Sequence, residues 1–147
     1  MNLRFPLFVD LSGKTVVVIG GGAIGRRRAS ALRDFGARVT VIAPEVRGPL
    51  EGVAYLRRAY CQGDLDGAFL AVAATDDRAV NHAVYEEARR RGIPVNVCDC
   101  PGECDFYFPA ICRTEDLVAG LVGDGSDHAR TARAAKAVRK TLEELEP

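Results

Sequence analysis

A glycine-rich hexapeptide between a strand-like and a helix-like segment is the feature that most constrains how this chain can fold. Thr15 to Ile19 reads TVVVI, a continuous β-branched run typical of a strand buried on both faces of a parallel sheet. It leads directly into Gly20 to Gly25, GGGAIG, and then into a segment whose apolar residues share one helical face before Gly36. A strand, a tight turn and a helix in this order predict the first half of a βαβ unit.

Predicted strands and helices go on alternating as far as residue 97. Short apolar segments bounded by Gly or Pro supply the strands, and Asp76 or Asp77 can cap a second helix. This alternation predicts an α/β fold with a Rossmann-like, doubly wound parallel sheet. The further strands are expected at Arg38 to Ile42, Val53 to Arg58, Phe69 to Ala74 and Pro94 to Val97, and the second helix is expected to end near Arg91.

Beyond residue 98 the alternation is lost. A loop rich in Cys, Asp, Pro and Gly leads to two short predicted strands and a last helix, Ala129 to Leu145. The apolar residues of that helix form one stripe, which needs a partner surface in the same chain or in another. We therefore predict a Rossmann-like domain over residues 1–113 and a small C-terminal segment over residues 114–147.

Composition excludes several classes of function. The 20 basic and 20 acidic residues leave no net charge, which argues against a general binder of nucleic acid or of membrane surfaces. The apolar runs are far shorter than the roughly 18 residues of a membrane span, and the first ten residues lack the pattern of a secretory signal. Five cysteines are an odd number for a disulfide framework, so free thiols and a cytoplasmic location are expected.

The hexapeptide fits the pattern G-x-G-x-x-G, and it lies between strand and helix as a dinucleotide site requires. Gly20 permits the tight turn, Gly22 lets the backbone approach a pyrophosphate, and Gly25 allows the helix to pack closely on the strand. The phosphates would then lie at a helix N-terminus, whose N–H groups favour anions. The alternative is a turn with a purely structural role.

The acidic residue expected to hold the cofactor's ribose is missing at the end of the second predicted strand, which reads VIAPE. Glu45, one or two residues late, is the candidate for this role and favours NAD. Arg47 is the alternative candidate, as a partner for the 2′-phosphate of NADP, unless it is an ordinary solvated arginine.

Two other groups of residues allow more than one interpretation. Three consecutive arginines, residues 26–28, follow the glycine loop at a helix start, where cations are disfavoured, so they indicate a nearby anion or simple solvation. Cys98, Cys100 and Cys104 could be metal ligands, but their spacing matches no standard signature, and we assign no metal site. His82 is expected to be a surface residue.

Five segments, in order along the chain, together resemble the precorrin-2 dehydrogenase and sirohydrochlorin ferrochelatase module of siroheme synthases. The resemblance extends from about residue 5 to the end of the chain and is more specific than any single motif. The segments are Phe5 to Leu11 (FPLFVDL), the glycine loop with Arg27 and Arg28, Ala73 to Asp77 (AATDD), Asn96 to Asp99 (NVCD) and Phe108 to Ala110 (FPA).

Members of that family oxidise precorrin-2 to sirohydrochlorin with NAD, and several also insert ferrous iron. The resemblance therefore implies NAD as cofactor, precorrin-2 as substrate, ferrous iron as a candidate second substrate, and a homodimer whose interface residues 114–147 build. It puts the catalytic aspartate at Asp99, and Arg27 and Arg28 are the candidate contacts to the anionic substrate. The implied cofactor contacts, besides the glycines, are Ala23, Ile24, Pro44, Glu45 and Thr75.

This chain departs from the family pattern in two places. The family generally continues into a further helical region, and it has Gly-x-Ser-Pro where this chain ends the loop Gly123 to Asp127. We predict an NAD-dependent precorrin-2 dehydrogenase. One rival is a non-enzymatic dinucleotide sensor, in which Asp99 would only cap the loop before Pro101. The other is a cysteine-based metal carrier, in which the glycine loop would be incidental.

Overall fold

A computed structural model of the protein describes residues 3–145, which form two compact units. Residues 9–106 make the larger unit, and residues 3–8 with 107–145 make the smaller one. Within residues 3–145, no helix combines the length and the apolar character that crossing a membrane requires.

The larger unit is a five-stranded parallel sheet with two main helices. Its strands run in the order β3-β2-β1-β4-β5, which is the order of the first five strands of a Rossmann fold and confirms the predicted fold class. The buried valines and isoleucine of β1 lie at the centre of the sheet, between β2 and β4. The elements are β1 (Thr15–Ile19), α1 (Ala23–Asp34), β2 (Arg38–Ile42), β3 (Ala54–Leu56), β4 (Leu70–Ala73), α2 (Arg78–Arg91), β5 (Val95–Val97) and a 3-10 turn (Pro101–Glu103).

Helix termini follow their local sequence. Asp77 caps α2, since its side chain accepts hydrogen bonds from the N–H groups of Ala79 and Val80. Gly92, at φ 67°, ends the same helix in the left-handed conformation. The predicted third strand, Val53 to Arg58, is shorter in the structure because β3 lies at the sheet edge and pairs only with β2.

The smaller unit is a β-hairpin covered by one helix. Strands β6 (Ala110–Arg113) and β7 (Val118–Leu121) pair in antiparallel fashion, and α3 (His128–Glu144) packs against both. This hairpin covers part of the predicted apolar stripe of α3, because Ala135 is buried against the strands. The unit begins near residue 107, earlier than the predicted residue 114, because β6 pairs only with β7.

Candidate dinucleotide and active site

Steric fit explains three of the four glycines of the loop. A Cβ on Gly20 would lie 2.3 Å from the carbonyl oxygen of Ala74, and one on Gly21 would lie 2.1 Å from that of Glu45. A Cβ on Gly25 would lie 2.2 Å from the carbonyl oxygen of Gly20, so α1 packs directly on the end of β1. These glycines allow backbone to meet backbone, and a larger residue at any of them would displace the loop.

Gly22 differs from the other glycines of the loop. It is the N-cap of α1, and a Cβ there would meet nothing within 4 Å. No side chain caps the helix, and its first turn holds no acidic residue. The N-terminus of α1 therefore faces open space, and it presents uncapped N–H groups and the positive end of the helix dipole. This arrangement fits a diphosphate group.

The space in front of Gly22 belongs to a cavity of about 720 Å³ at the carboxyl ends of β1, β2 and β4. Because β1 is the strand at which the sheet order reverses, this is where open α/β folds bind their ligands. Gly25 supports the loop from behind and is not part of the lining. The predicted cofactor residues that line the cavity are Gly20, Gly22, Ala23, Ile24, Pro44, Glu45 and Thr75, and Arg47 lines it as well.

The turn at Thr75 forms one wall of this cavity, and a buried side-chain amide holds that turn in place. Asn81, on α2, is fully buried, and its Oδ1 accepts hydrogen bonds from the backbone N–H of Thr75 at 3.1 Å and from the hydroxyl at 2.6 Å. Its Nδ2 donates to the Thr75 carbonyl oxygen at 3.0 Å. Sequence reasoning missed Asn81, although an amide beside the apolar face of Val80, Val84 and Ala88 is the signal that could have indicated it.

Tyr60 forms another part of the lining, and a buried carboxylate fixes its position. Its hydroxyl donates a hydrogen bond to Glu87, which is 1% exposed and also accepts from the N–H of Gly63 at 2.9 Å and from Arg91 Nε at 2.9 Å. Burial, followed by the bond to Glu87, raises the pKa of Tyr60 far above its usual value. Tyr60 is therefore neutral and acts as a hydrogen-bond donor.

Asp99 follows β5 at the same edge of the sheet, but it does not line the cavity. Its Oδ1 accepts a hydrogen bond from Arg78 Nη1 at 2.7 Å, and Arg78 also binds Glu103. His82 Nδ1 lies 2.7 Å from Glu103 Oε1. Desolvation opposes the ionisation of Glu103, but the hydrogen bonds from His82 and Arg78 outweigh it and lower its pKa. Asp99 therefore belongs to a charged network on the surface.

The pKa of the Cys98 thiol reflects the charges of Asp99 and of the two predicted substrate arginines. Burial raises the pKa of Cys98 and Asp99 raises it further, whereas Arg28, by charge and hydrogen bonding, and Arg27, by charge, lower it. All three charged residues are thus close enough to Cys98 to interact with it. Arg26 points elsewhere, since its Nε donates to the Gly48 carbonyl oxygen at 2.8 Å.

The other cysteines of this region make local contacts. The sulfur of Cys104 accepts a hydrogen bond from the Val97 N–H at 3.2 Å and lies 3.2 Å from the Val97 carbonyl oxygen. Across residues 3–145, no group of three or more His, Cys, Asp or Glu side chains is arranged to hold a metal ion. The Cys104 thiol, at the end of the 3-10 turn, joins that turn to β5.

The parallel sheet, the glycine loop and the cavity at the reversal of strand order define the class: a Rossmann-type dinucleotide-binding protein. Residues 7–110 match the family model NAD_binding_7, described as "Putative NAD(P)-binding". The chain belongs to this NAD(P)-binding family.

Two relatives and one solved structure with names from siroheme biosynthesis are similar to this chain. The chain is 42% identical over 144 residues to a "Probable multifunctional siroheme biosynthesis protein HemA" of Ruminiclostridium josui, with 93% of this chain and 28% of the relative covered. It is 43% identical over 140 residues to a "Siroheme synthase" of Ectopseudomonas mendocina, with 92% and 30% covered. The chain thus spans less than a third of the length of these relatives. The solved structure of "SirC, precorrin-2 dehydrogenase" matches with a TM-score of 0.77 and 27% identity, over 94% of this chain and 71% of that one.

Proposed function

We propose that the protein is an NAD-dependent dehydrogenase that oxidises precorrin-2 to sirohydrochlorin in siroheme biosynthesis. The observation that carries this proposal is the position of Asp99 directly after β5, at the sheet edge where the glycine loop lies, next to a cysteine that is hydrogen-bonded to Arg28. A dinucleotide sensor needs the loop but neither the carboxylate nor the arginine. The similarity to a solved precorrin-2 dehydrogenase and to siroheme synthases supplies the substrate.

Each part of the proposed site has a separate role. Gly22 and the start of α1 bind the diphosphate, and the Thr75 turn, held by Asn81, forms the wall on the nicotinamide side. The bound NAD supplies the hydride acceptor. Arg27 and Arg28 bind the anionic tetrapyrrole. Asp99 accepts the proton that the substrate must lose along with the hydride.

The cofactor proposed is NAD, and Glu45 is the residue that favours it. Glu45 lines the cavity beside the end of β2, where a carboxylate can accept hydrogen bonds from ribose hydroxyls and repels a 2′-phosphate. Arg47 lines the same region and is the residue through which NADP would be accepted. Affinities measured for both cofactors in Glu45→Gln and Arg47→Gln variants separate these two influences.

Three further parts of the proposal concern assembly, iron and location. We propose a homodimer formed through the smaller unit, which exposes several large apolar side chains.

Ferrous iron is proposed as a second substrate, because the carboxylate that accepts the proton in dehydrogenation can also take pyrrole protons during metal insertion. The five free thiols favour a cytoplasmic location.

The decisive experiment is turnover of precorrin-2 with NAD, followed by the absorbance of sirohydrochlorin, in the parent protein and in Asp99→Asn. The amide keeps the size and hydrogen-bonding reach of the carboxylate but removes its basicity, so the rate should fall by about 10² to 10⁴. Glu115→Asn, which removes an exposed acidic residue of the smaller unit, is the control.

Two results would count against the proposal. If Asp99→Asn turns over at the parent rate, Asp99 is not the base. A parent protein that binds NAD but leaves precorrin-2 unchanged would favour the sensor. Ferrous iron added after the first step tests insertion, which should produce the absorbance of siroheme.

A further inference from the structure

Arg78, in the first turn of α2, is not among the residues that the sequence indicated, yet it makes the direct contact with Asp99. Its Nη1 donates to Asp99 Oδ1 at 2.7 Å, and its Nη2 donates to Glu103 in the 3-10 turn. A single guanidinium thus joins the carboxylate that follows β5 to the turn beyond it. A planar group bound on both sides can adopt few orientations, so the carboxylate on its other side is oriented as well.

Glu103, the second carboxylate that Arg78 contacts, also contacts another residue of α2. His82 lies one helical turn after Arg78, and its Nδ1 is 2.7 Å from Glu103 Oε1. Residues four apart on a helix share one face, so Arg78 and His82 reach the same carboxylate together. Glu103 is therefore held from two positions of a rigid element.

Stability alone does not account for this arrangement. The side chains of Arg78 and Asp99 are 44% and 37% exposed, and exposed ion pairs contribute little to folding. In addition, the dipole of α2 disfavours a cation in its first turn. The position of Arg78 is therefore better explained by its effect on the orientation of the Asp99 carboxylate than by stability.

We propose that Arg78 is a positioning residue that holds the Asp99 carboxylate in one orientation. The inference rests on the proposed function, in which Asp99 accepts the substrate proton. Arg78 itself transfers no proton, because a guanidinium stays protonated. The charged and titratable groups around Asp99 are Arg78 and, through it, Glu103 and His82, together with Cys98 and the arginines Arg27 and Arg28 that interact with this thiol.

The first test needs no turnover. The rotamer of Asp99 about χ1 is measured by three-bond NMR couplings to its carboxyl carbon, assigned by comparison with Asp99→Asn, in the parent protein, in Arg78→Gln and in Arg78→Lys. Loss of the guanidinium should spread Asp99 from one rotamer over several, and lysine should restore part of the order. Arg90→Gln removes a charge from the last turn of the same helix and should leave the couplings unchanged. Couplings in Arg78→Gln that equal those of the parent would overturn the proposal.

The second test is kinetic. Arg78→Gln should lower kcat by about 10- to 100-fold through misplacement of the base, with KM for precorrin-2 within about twofold of the parent value. Arg78→Lys should recover part of the lost kcat, because the ammonium group can still contact the Asp99 carboxylate. A raised KM with unchanged kcat would show that Arg78 binds substrate and would contradict the positioning role.

The two tests separate the two proposals. Unchanged NAD affinity in Arg78→Gln shows that the variant is folded. If the parent protein fails to oxidise precorrin-2 while Arg78→Gln still spreads Asp99 over several rotamers, the proposed function fails and the hold of Arg78 on the carboxylate stands. If turnover occurs and the rotamer of Asp99 does not change, the proposed function stands and the role of Arg78 falls.

Discussion

At the scale of single residues, the glycines of the loop have two different roles: some are needed for folding and one is needed for binding. Gly20, Gly21 and Gly25 meet backbone atoms at distances where no Cβ fits, whereas Gly22 faces open space with φ −78°, which any residue can adopt. The first three positions are therefore required by the fold. Gly22 is the position at which a side chain would harm only the bound dinucleotide.

Gly22→Asp should abolish dinucleotide binding without lowering stability. Aspartate at this N-cap can accept a hydrogen bond from the first turn of α1, so the melting temperature should stay the same or rise slightly. The same carboxylate would occupy and repel the diphosphate site, so calorimetry should show NAD affinity reduced by orders of magnitude. Gly25→Ala is the contrasting variant, expected to lower the melting temperature. Unchanged NAD affinity in Gly22→Asp would remove the loop from the site.

Asn81 is expected to matter for both stability and binding. Asn81→Leu leaves the buried polar groups of Thr75 without their partners, which should cost about 1–3 kcal/mol of unfolding free energy in urea titrations. The Thr75 turn would also lose its support, so NAD affinity should fall. Thr75→Val removes the hydroxyl contacts with Asn81 and with the Asp77 backbone but keeps both backbone hydrogen bonds to Asn81, so it should give a smaller loss of stability. Equal stability of Asn81→Leu and the parent would show that the amide does not hold the turn.

At the scale of elements, two carboxylates hold the connection from β3 to β4: Glu87 from α2, and Asp64 within the connection itself. Asp64 accepts hydrogen bonds from both terminal nitrogens of Arg58 at 2.8 Å each and from the Cys61 N–H at 2.7 Å. These bonds, with that from Arg58 the largest influence, outweigh desolvation and lower the pKa of Asp64. The connection also carries Tyr60, so its order bears on the cavity wall.

The pKa of Asp64 predicts a pH-dependent contribution to stability. Because its folded pKa lies below the unfolded value of about 3.9, the contribution is present above that pH and is lost as pH falls through the folded pKa. Asp64→Asn should therefore be less stable than the parent in urea at pH 7, and the difference should shrink as the pH is lowered below about 3.9. Asp66→Asn, 81% exposed in the same connection, should show little change. A pH-independent difference would contradict this assignment.

At the scale of the whole molecule, the smaller unit exposes more apolar surface than its hairpin and helix can cover. A two-stranded sheet is marginal alone, and α3 covers it only in part. Leu117, Val118 and Val122 are each 45% exposed, and Leu145 is 68% exposed. Each leucine-sized side chain that is removed from water contributes roughly 1.5–3 kcal/mol, which favours association through this surface.

Light scattering should find the parent protein to be a dimer at micromolar concentration and Val118→Glu to be a monomer. Glutamate on the exposed face of β7 puts a charge into the proposed interface and leaves the buried Ala135 contact intact. Val118→Thr keeps the β-branched shape without a charge and should remain dimeric. A monomeric parent protein would refute the dimer.

Local sequence predicts most of the elements and the glycine loop of the candidate dinucleotide site. The β-branched run of β1, the glycine hexapeptide and the caps of α2 act between neighbouring residues, so their geometry is encoded locally. The end of β3 was uncertain in sequence because it depends on a pairing with β2 alone.

Which charged and polar side chains meet near the candidate site depends on tertiary packing. Arg78 and Asp99 are 21 residues apart and Tyr60 and Glu87 are 27 apart, and each pair is joined by the packing of α2 against the sheet. Arg28 reaches Cys98 because the strand order places the end of β5 beyond β4, on one side of β1. Such contacts depend on how remote segments cross in space, and no local pattern of hydrophobicity or turn residues specifies them.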